Sequence, residues 1–195
     1  MGTTRLPSAG REVRRQAVIK NMWNLTESEL LLATVQLSIT FAGFASLASV
    51  LRERSAEGHP RLDANRLLNM LTISLTIAAL ALIPLLPMSL AWPSRWVWGS
   101  AGAVGVVAIP VVGWTIIRRS MGLNQNIGFS RTANAANYTL GASAFAGFTC
   151  SLLGLPPANS FAAYFGGLVA LSFICGILFY RVIASLLKPV APGPQ

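Results

Sequence analysis

Long apolar runs separated by short polar segments dominate the chain. A bilayer core about 30 Å thick needs a helix of roughly 20 apolar residues. Four runs reach that length, and a fifth, at 138–155, is shorter and rich in small and hydroxyl side chains. The pattern predicts an all-α, polytopic transmembrane helix bundle with about five spanning helices. We place these helices near 27–51, 64–90, 96–117, 138–155 and 160–187.

Local signals place the starts of two helices and the end of a third. Thr26 and Glu29 have the three-residue spacing of a capping box, which predicts that the first helix begins directly after Thr26. Asp63 stands where an N-cap is expected, so the second helix should begin beside it. The last helix meets no proline or glycine soon after Tyr180 and should continue to about residue 187.

Polar segments flank the predicted bundle at both ends of the chain. Residues 1–21 form a basic tail, residues 22–188 the transmembrane bundle, and residues 189–195 a short C-terminal tail. The basic tail is polar and unpatterned, so we expect it to pack against nothing. Two further interpretations stay open. In the first, translation would begin at Met22, so that the native product would lack the tail. In the second, the tail would lie on an anionic lipid surface.

Basic residues predict the orientation of the bundle, because they collect on the cytoplasmic side of membrane proteins. With five spans, nine basic residues lie on one face of the membrane and six on the other, five of the six in the tail. We therefore expect a multi-pass protein of the cell inner membrane, with the N-terminus outside and the C-terminus cytoplasmic. Indole rings favour the membrane interface. In this orientation the outer interface holds Trp23, Trp92, Trp96 and Trp98.

Composition narrows the class of partner. Hydrophobic residues make up 53% of the chain and charged residues 11%, with a net charge of +9. The basic residues occur singly or in pairs between apolar runs rather than on one continuous face. We therefore expect membrane lipids, and not nucleic acid, as partners. Another membrane protein or a second copy of the chain would also fit.

The segment that follows Met22 combines an acidic helix cap, an apolar helix containing Phe41-Ala42-Gly43-Phe44, and arginines after that helix. In these features it resembles the opening of small uncharacterised bacterial multi-pass inner-membrane proteins. The resemblance covers mainly the first two predicted helices. It implies a multi-pass membrane fold and no particular activity.

Few groups in the chain could carry catalytic chemistry. All six acidic residues lie before residue 64, the chain has one histidine, and no apolar run contains an acid beyond the capped start of the first helix. An enzyme needs an acid, a base or a metal site. We therefore predict no enzymatic activity, no cofactor and no metal site. The first three apolar runs also lack an ionisable side chain, which disfavours proton- or cation-coupled transport.

One face of the first predicted helix carries polar and small residues, where Gln36 aligns with Thr40 and Gly43. An amide buried in hydrocarbon without a partner costs several kcal/mol. We therefore expect Gln36 to form a hydrogen bond with the neighbouring second helix. In that helix Pro84 and Pro87 each free a backbone carbonyl four residues earlier. The expected acceptors are the carbonyls of Leu80 and Ile83.

Two further groups of residues are candidates for packing or lipid contact. Ser143, Gly147 and Ser151 have the four-residue spacing of a small-residue face, which serves packing within the monomer or self-association. A link rich in amide side chains follows the third predicted helix, and arginines flank it. These arginines would contact a lipid headgroup, and the alternative is an ordinary solvated loop. The arginines are Arg118, Arg119 and Arg131.

These observations favour a non-enzymatic membrane protein that acts through interaction with lipid or with another protein. The runner-up is a small transporter or channel subunit for a neutral or amphipathic solute, which needs only polar or small side chains on a shared face. In that case residues of the first two predicted helices would line the pathway, since broken helices often border transport cavities. These residues are Gln36, Thr40, Gly43, Pro84 and Pro87. A continuous polar path through the bundle would distinguish the two hypotheses.

Overall fold

Helices account for nearly all the residues that the computed structural model describes, which are 26–53, 60–121, 131–155 and 160–186. The described residues contain no strand, so the predicted all-α helix bundle is confirmed. Both tails and the alternative start lie outside the described residues. The helices are α1 (Glu27–Glu53), α2 (Pro60–Leu82), α3 (Leu85–Ser89), α4 (Ser94–Met121), α5 (Arg131–Leu153) and α6 (Ser160–Leu186).

Four stretches of the described helices are long and apolar enough to cross a membrane. They coincide with four of the five predicted spans. The helix α5 does not reach the same apolar composition, because small and hydroxyl side chains occupy much of its length. Its crossing stays a prediction, which its packing supports. The four stretches are Glu27–Val50, Ala64–Ser89, Ser94–Arg119 and Ser160–Ala184.

The helix α5 packs between α4 and α6 along most of its length. A Cβ built on Gly102 of α4 would lie 2.7 Å from the Leu152 backbone nitrogen, and one built on Gly105 would meet the Phe148 ring. Later residues of α4 thus meet earlier residues of α5, so the two helices are antiparallel. On the other side, a Cβ on Gly147 would lie 2.7 Å from the carbonyl oxygen of Ala163. The helix α5 therefore shares the depth of its spanning neighbours.

Two of the local signals are confirmed. The Thr26 backbone N–H donates to Glu29 Oε2 at 2.7 Å, and the Glu29 N–H donates to Thr26 Oγ1 at 3.4 Å. This reciprocal pair is the predicted capping box, and α1 begins at the next residue after Thr26. The helix α6 continues past Tyr180 and ends at Leu186.

The predicted boundaries of the second and fourth helices need correction. The helix α2 begins at Pro60, because a proline fits the first helical position, and Asp63 therefore lies inside the helix rather than at its cap. The helix α5 begins at Arg131 instead of residue 138. Its first turns are polar but rich in alanine, which favours a helix. The apolar run that begins at residue 138 covers only the rest of this helix.

The second predicted span is broken near its end. The helix α2 stops at Leu82, a turn follows, and α3 continues from Leu85. Pro84 has no N–H to donate, so the carbonyl of Leu80 has no partner within its own helix. The Tyr164 hydroxyl of α6 donates to that carbonyl at 2.6 Å. The break is thus stabilised by a hydrogen bond from another helix.

We expect Tyr164→Phe to destabilise the bundle by about 1–3 kcal/mol, because it leaves the Leu80 carbonyl buried without a donor. Tyr180→Phe is the matched control, since the Tyr180 side chain is 72% exposed. Thermal unfolding of both variants in one detergent measures the difference. Equal midpoints for the two variants and the wild type would show that the hydroxyl contributes nothing.

Basic side chains gather at one end of the bundle. The contacts of α6 with α2 join Tyr164 to Leu80 and Cys175 to Ser74, so these helices are antiparallel. The start of α2 therefore lies beside the end of α6. Arg119 near the end of α4 donates to Thr72 of α2, which places the end of α4 there too. We call this the arginine end, and its described basic side chains are Arg66, Arg118, Arg119 and Arg181. Among described side chains, the opposite end has Arg95.

Candidate functional site

A cavity of about 360 Å³ lies among α2, α4, α5 and α6 at the arginine end. Its volume is within the range of roughly 300–1,000 Å³ that small-molecule sites occupy. All four helices contribute side chains to the wall, so the cavity exists only in the assembled bundle. The cavity is therefore a candidate ligand site in the described bundle.

The polar side chains of the cavity come from three helices. On α2, Asn65 and Asn69 are four residues apart and lie on one helical face beside Arg66. Arg181 of α6 lines the same cavity as Arg66. The polar lining residues are Asn65, Arg66, Asn69, Asn137, Tyr138 and Arg181.

The rest of the wall is apolar, and part of it lies deeper in the bundle. Ile73 is seven residues beyond Arg66 on α2, about 10 Å further from the arginine end at 1.5 Å per residue. Leu171 and Ile174 lie similarly deep on α6, and Ile109 on α4. The cavity is therefore amphipathic, with two arginines near the arginine end and apolar side chains on the deeper part of its wall.

Two residues that line the cavity carry amide oxygens for which no described group is a hydrogen-bond donor. Asn69 is only 8% exposed, and its Oδ1 is shielded from water without accepting a hydrogen bond from any described group. The Oδ1 of Asn137 is also shielded from water and accepts no hydrogen bond from a described group. Buried amide oxygens are usually paired, because leaving one unpaired costs about 1–3 kcal/mol.

A layer of buried aromatic rings closes the bundle on the far side of the cavity. The Trp98 ring lies 5.7 Å from Tyr164 and 5.0 Å from Phe161, and Phe148 lies 5.1 Å from Tyr164 in an edge contact. Trp98 is only 3% exposed, so its ring faces the interior of the bundle. Its ring packs inside the layer. The rings of this layer pack against one another between the cavity and the opposite end of the bundle.

The prediction for Gln36 is wrong. The helix α1 buries the face that carries Leu31, Val35 and Ser38, which turns Gln36 and Thr40 away from the bundle. The Gln36 amide forms no hydrogen bond with a described residue of another helix, and its backbone carbonyl accepts from Thr40 Oγ1. The carbonyl of Leu80 does receive an interhelical bond, but the donor comes from α6 rather than α1.

The other residues of the predicted pathway do not meet at the cavity either. Gly43 is exposed on α1, Pro84 is buried at the break after α2, and Pro87 is half-buried in α3. None of them lines the cavity. The residues predicted to border a transport path therefore form no common surface.

The residues of the predicted small-residue face of α5 contact two different helices. Gly147 approaches the α6 backbone closely, while the Ser151 hydroxyl donates to the Trp98 carbonyl of α4 at 3.0 Å. Ser143 is exposed, and its hydroxyl donates to the Thr139 carbonyl within its own helix. Four-residue spacing drifts around a helix, because a turn contains 3.6 residues. The three residues therefore do not share one contact.

The arginines predicted to contact a headgroup do not line the cavity. The Arg118 guanidinium lies 5.0 Å from the centre of the Trp114 ring, and Arg119 Nη1 donates to Thr72 Oγ1 at 3.3 Å. Arg131 begins α5, and its side chain lies outside the described residues. Arg66 and Arg181, which do line the cavity, resemble ordinary membrane-flanking charges in the sequence. The Asn65–Asn69 pair around Arg66 was the signal that could have identified them.

In the described part of the chain, a metal site would require a cluster of ligating side chains. No group of three or more His, Cys, Asp or Glu side chains comes together there. The single histidine, His59, lies outside the described residues. Comparison of the chain with protein-family models, with curated proteins and with solved structures finds no match.

Proposed function

We propose that this chain is a non-enzymatic membrane protein that binds a lipid in the cavity at its arginine end. The acidic headgroup binds Arg66 and Arg181, and the hydrocarbon chain lies against Ile73, Ile109 and Ile174. The amphipathic wall of the cavity is the observation that carries this proposal. Guanidinium groups bind phosphate oxygens through two parallel hydrogen bonds, which suits them to a phospholipid headgroup.

The proposed orientation follows from the charges at the two ends of the bundle. The N-terminus is outside a bacterial inner membrane and the C-terminus is cytoplasmic, since the arginine end then faces the cytoplasm. In this orientation the cavity lies at the inner leaflet. Anionic lipids attract basic groups there, which brings a suitable ligand to the arginines.

Solute transport is the weaker candidate, because a transported solute must leave at the far side of the membrane. The aromatic layer of Trp98, Phe148 and Tyr164 stands between the cavity and the opposite end. A transporter would have to separate these rings. Binding from one side requires no such movement.

Filling the cavity tests the proposal. Gly113 lines the cavity, and a Cβ built on it meets nothing within 4 Å, so Gly113→Leu should fill the space without disturbing the helices. Gly43→Leu is the matched control, since Gly43 also has open space around it and lies outside the cavity. We expect Gly113→Leu to reduce lipid retention about tenfold.

Native mass spectrometry of the protein, purified in a mild detergent, measures the retained lipid. The control Gly43→Leu should retain as much lipid as the wild type. Equal retention by Gly113→Leu would show that lipid binds elsewhere on the bundle. That result would contradict the proposal.

A further inference from the structure

We propose that two copies of this chain associate in the membrane through the outer face of α1, where the Gln36 amides of the two copies form hydrogen bonds with each other. This inference goes beyond lipid binding, since α1 contributes none of the described residues that line the cavity. It is carried by an amide that lies deep in a membrane span, on a regularly spaced and exposed helix face, without a described partner.

The outer face of α1 has the residue spacing of two helices that pack side by side. Steps of three and four residues alternate along six exposed positions, which is the heptad spacing of a parallel helix pair. The buried residues of α1, which include Leu31, Val35 and Ser38, lie on the opposite side of the helix. The bundle therefore leaves these six positions facing outward. We call them the α1 seam, and they are Ala33, Gln36, Thr40, Gly43, Leu47 and Val50.

Gln36 lies deep in the hydrocarbon. The span Glu27–Val50 has its midpoint between residues 38 and 39, so the Gln36 backbone is about 4 Å from the middle of the membrane at 1.5 Å per residue. The polar interface begins about 15 Å from the middle, and a glutamine side chain is too short to reach it. Lipid headgroups and interfacial water therefore do not pair with this amide.

The Gln36 side chain needs a partner from outside the monomer. Its amide has two N–H donors and an acceptor oxygen, and it forms no hydrogen bond with a described group. The neighbouring Thr40 hydroxyl differs, because it donates to the Gln36 backbone carbonyl at 2.8 Å and so is paired within its own helix. An amide left unpaired in hydrocarbon is strongly unfavourable. Gln36 is thus the seam residue that requires a second molecule.

A second copy of the chain supplies the partner at the required depth. Copies of one chain insert into the membrane with the same orientation. Two α1 helices related by a two-fold axis along the membrane normal are therefore parallel, and each seam residue meets its own equivalent. An amide is self-complementary, because the N–H of one copy can donate to the oxygen of the other. A different membrane protein would need its own amide or hydroxyl at this depth.

The residues around Gln36 permit the close approach that such a bond requires. Ala33, Thr40 and Gly43 are small, and small residues allow membrane helices to pack closely. A Cβ built on Gly43 would meet nothing within 4 Å, so no described part of the monomer occupies the space in front of it. The seam can therefore accommodate another helix.

Removing the amide tests the interface in the full chain. Copies that carry a donor or an acceptor dye at the C-terminus are reconstituted into vesicles of dioleoyl phosphatidylcholine, and energy transfer at increasing protein-to-lipid ratios measures the dimer dissociation constant. We expect Gln36→Leu to raise that constant about tenfold through loss of the interhelical hydrogen bonds. Ser143→Leu is the matched control and should leave the constant unchanged. It also removes an exposed polar group, but one that is paired within its own helix.

Disulfide crosslinking tests the same interface without altering Gln36. Thr40 in the seam and Phe173 on the outer surface of α6 are both exposed, and each lies within two residues of the middle of its span. Oxidation of Thr40→Cys in the same vesicles should give linked dimers, because a parallel pair brings the two equivalent seam positions together. Phe173→Cys should not exceed the background of the wild type, which carries Cys150 and Cys175.

Several outcomes would overturn the inference. One is a wild type that stays monomeric at every protein-to-lipid ratio, and another is an unchanged dissociation constant for Gln36→Leu. A constant raised by Ser143→Leu but not by Gln36→Leu would place the interface on α5 instead. Linked dimers as abundant for Phe173→Cys as for Thr40→Cys would indicate random collisions. Gln36→Leu should retain as much cavity lipid as the wild type, so a failure of dimerisation leaves the proposed lipid binding intact.

Discussion

Gly147→Ala should destabilise the bundle by about 1–3 kcal/mol, although alanine is the better helix former. The added Cβ would lie 2.7 Å from the Ala163 carbonyl oxygen and 3.1 Å from the Gly167 nitrogen. Both are backbone atoms, so no side chain can turn aside and α5 must move away from α6. That movement would also disturb the contact of Ser151 with α4.

The control for this prediction lies on the same helix. A Cβ on Gly141 meets nothing within 4 Å, so Gly141→Ala should leave stability unchanged or raise it by about 0.5–1 kcal/mol. Thermal unfolding of both variants, followed by tryptophan fluorescence, gives the comparison. A Gly147→Ala protein as stable as Gly141→Ala would mean that α5 and α6 do not pack at the distance described.

Replacing both cavity arginines should nearly abolish retention of acidic lipid. Each charge-assisted hydrogen bond contributes about 1.5–3 kcal/mol, so the double variant Arg66→Gln with Arg181→Gln should bind acidic lipid about 100-fold more weakly. The double variant Arg118→Gln with Arg119→Gln removes the same charge from the same end of the bundle. Both of its arginines lie outside the cavity, so it should retain the lipid.

A second pair of substitutions separates the effect of positive charge from the effect of guanidinium geometry. Arg66→Lys with Arg181→Lys keeps both positive charges but loses the two-pronged geometry of guanidinium, so its retention should fall between wild type and the glutamine variant. Titration of an acidic lipid onto each purified variant measures the effect. If the Arg118 and Arg119 variant loses the lipid instead, the headgroup binds at the surface, as the sequence alone had suggested.

The sequence predicted those features that local patterns determine. The capping box at Thr26 and Glu29 and the continuous apolar run of α6 each depend on neighbouring residues, so a short window contains the whole signal. The start of α5 was misplaced because hydropathy marks membrane residence rather than helix formation. The polar turns from Arg131 are helical without being apolar.

The buried face of α1 could not be predicted from the residues of that helix alone. Apolar side chains surround this helix on every side, so its sequence does not indicate which face is buried. The bundle buries Leu31 and Ser38 and leaves Gln36 outside. Burial of a hydroxyl was possible because Ser38 Oγ donates to the Thr34 carbonyl of its own helix. A glutamine amide has two donors and an acceptor, so one bond within its own helix would leave the others unpaired.

The cavity depends on contacts between residues that are distant in the sequence. Arg66 and Arg181 stand near the ends of two apolar runs, where flanking charges are ordinary. Only the antiparallel packing of α2 and α6 brings them to one cavity, and Asn137 joins them through α5. The polar groups were visible in the sequence, but their convergence was not.

Photo-crosslinking with an acidic phospholipid that carries a diazirine at the end of its hydrocarbon chain tests the central claim most directly. The account predicts labelling of the deep cavity residues Ile109 and Ile174, found by mass spectrometry of peptides and lost in Gly113→Leu. Residues on the outer surface, such as Phe173, should be labelled equally in both proteins, because bulk lipid reaches them. Labelling confined to such outer residues would contradict a lipid-binding cavity.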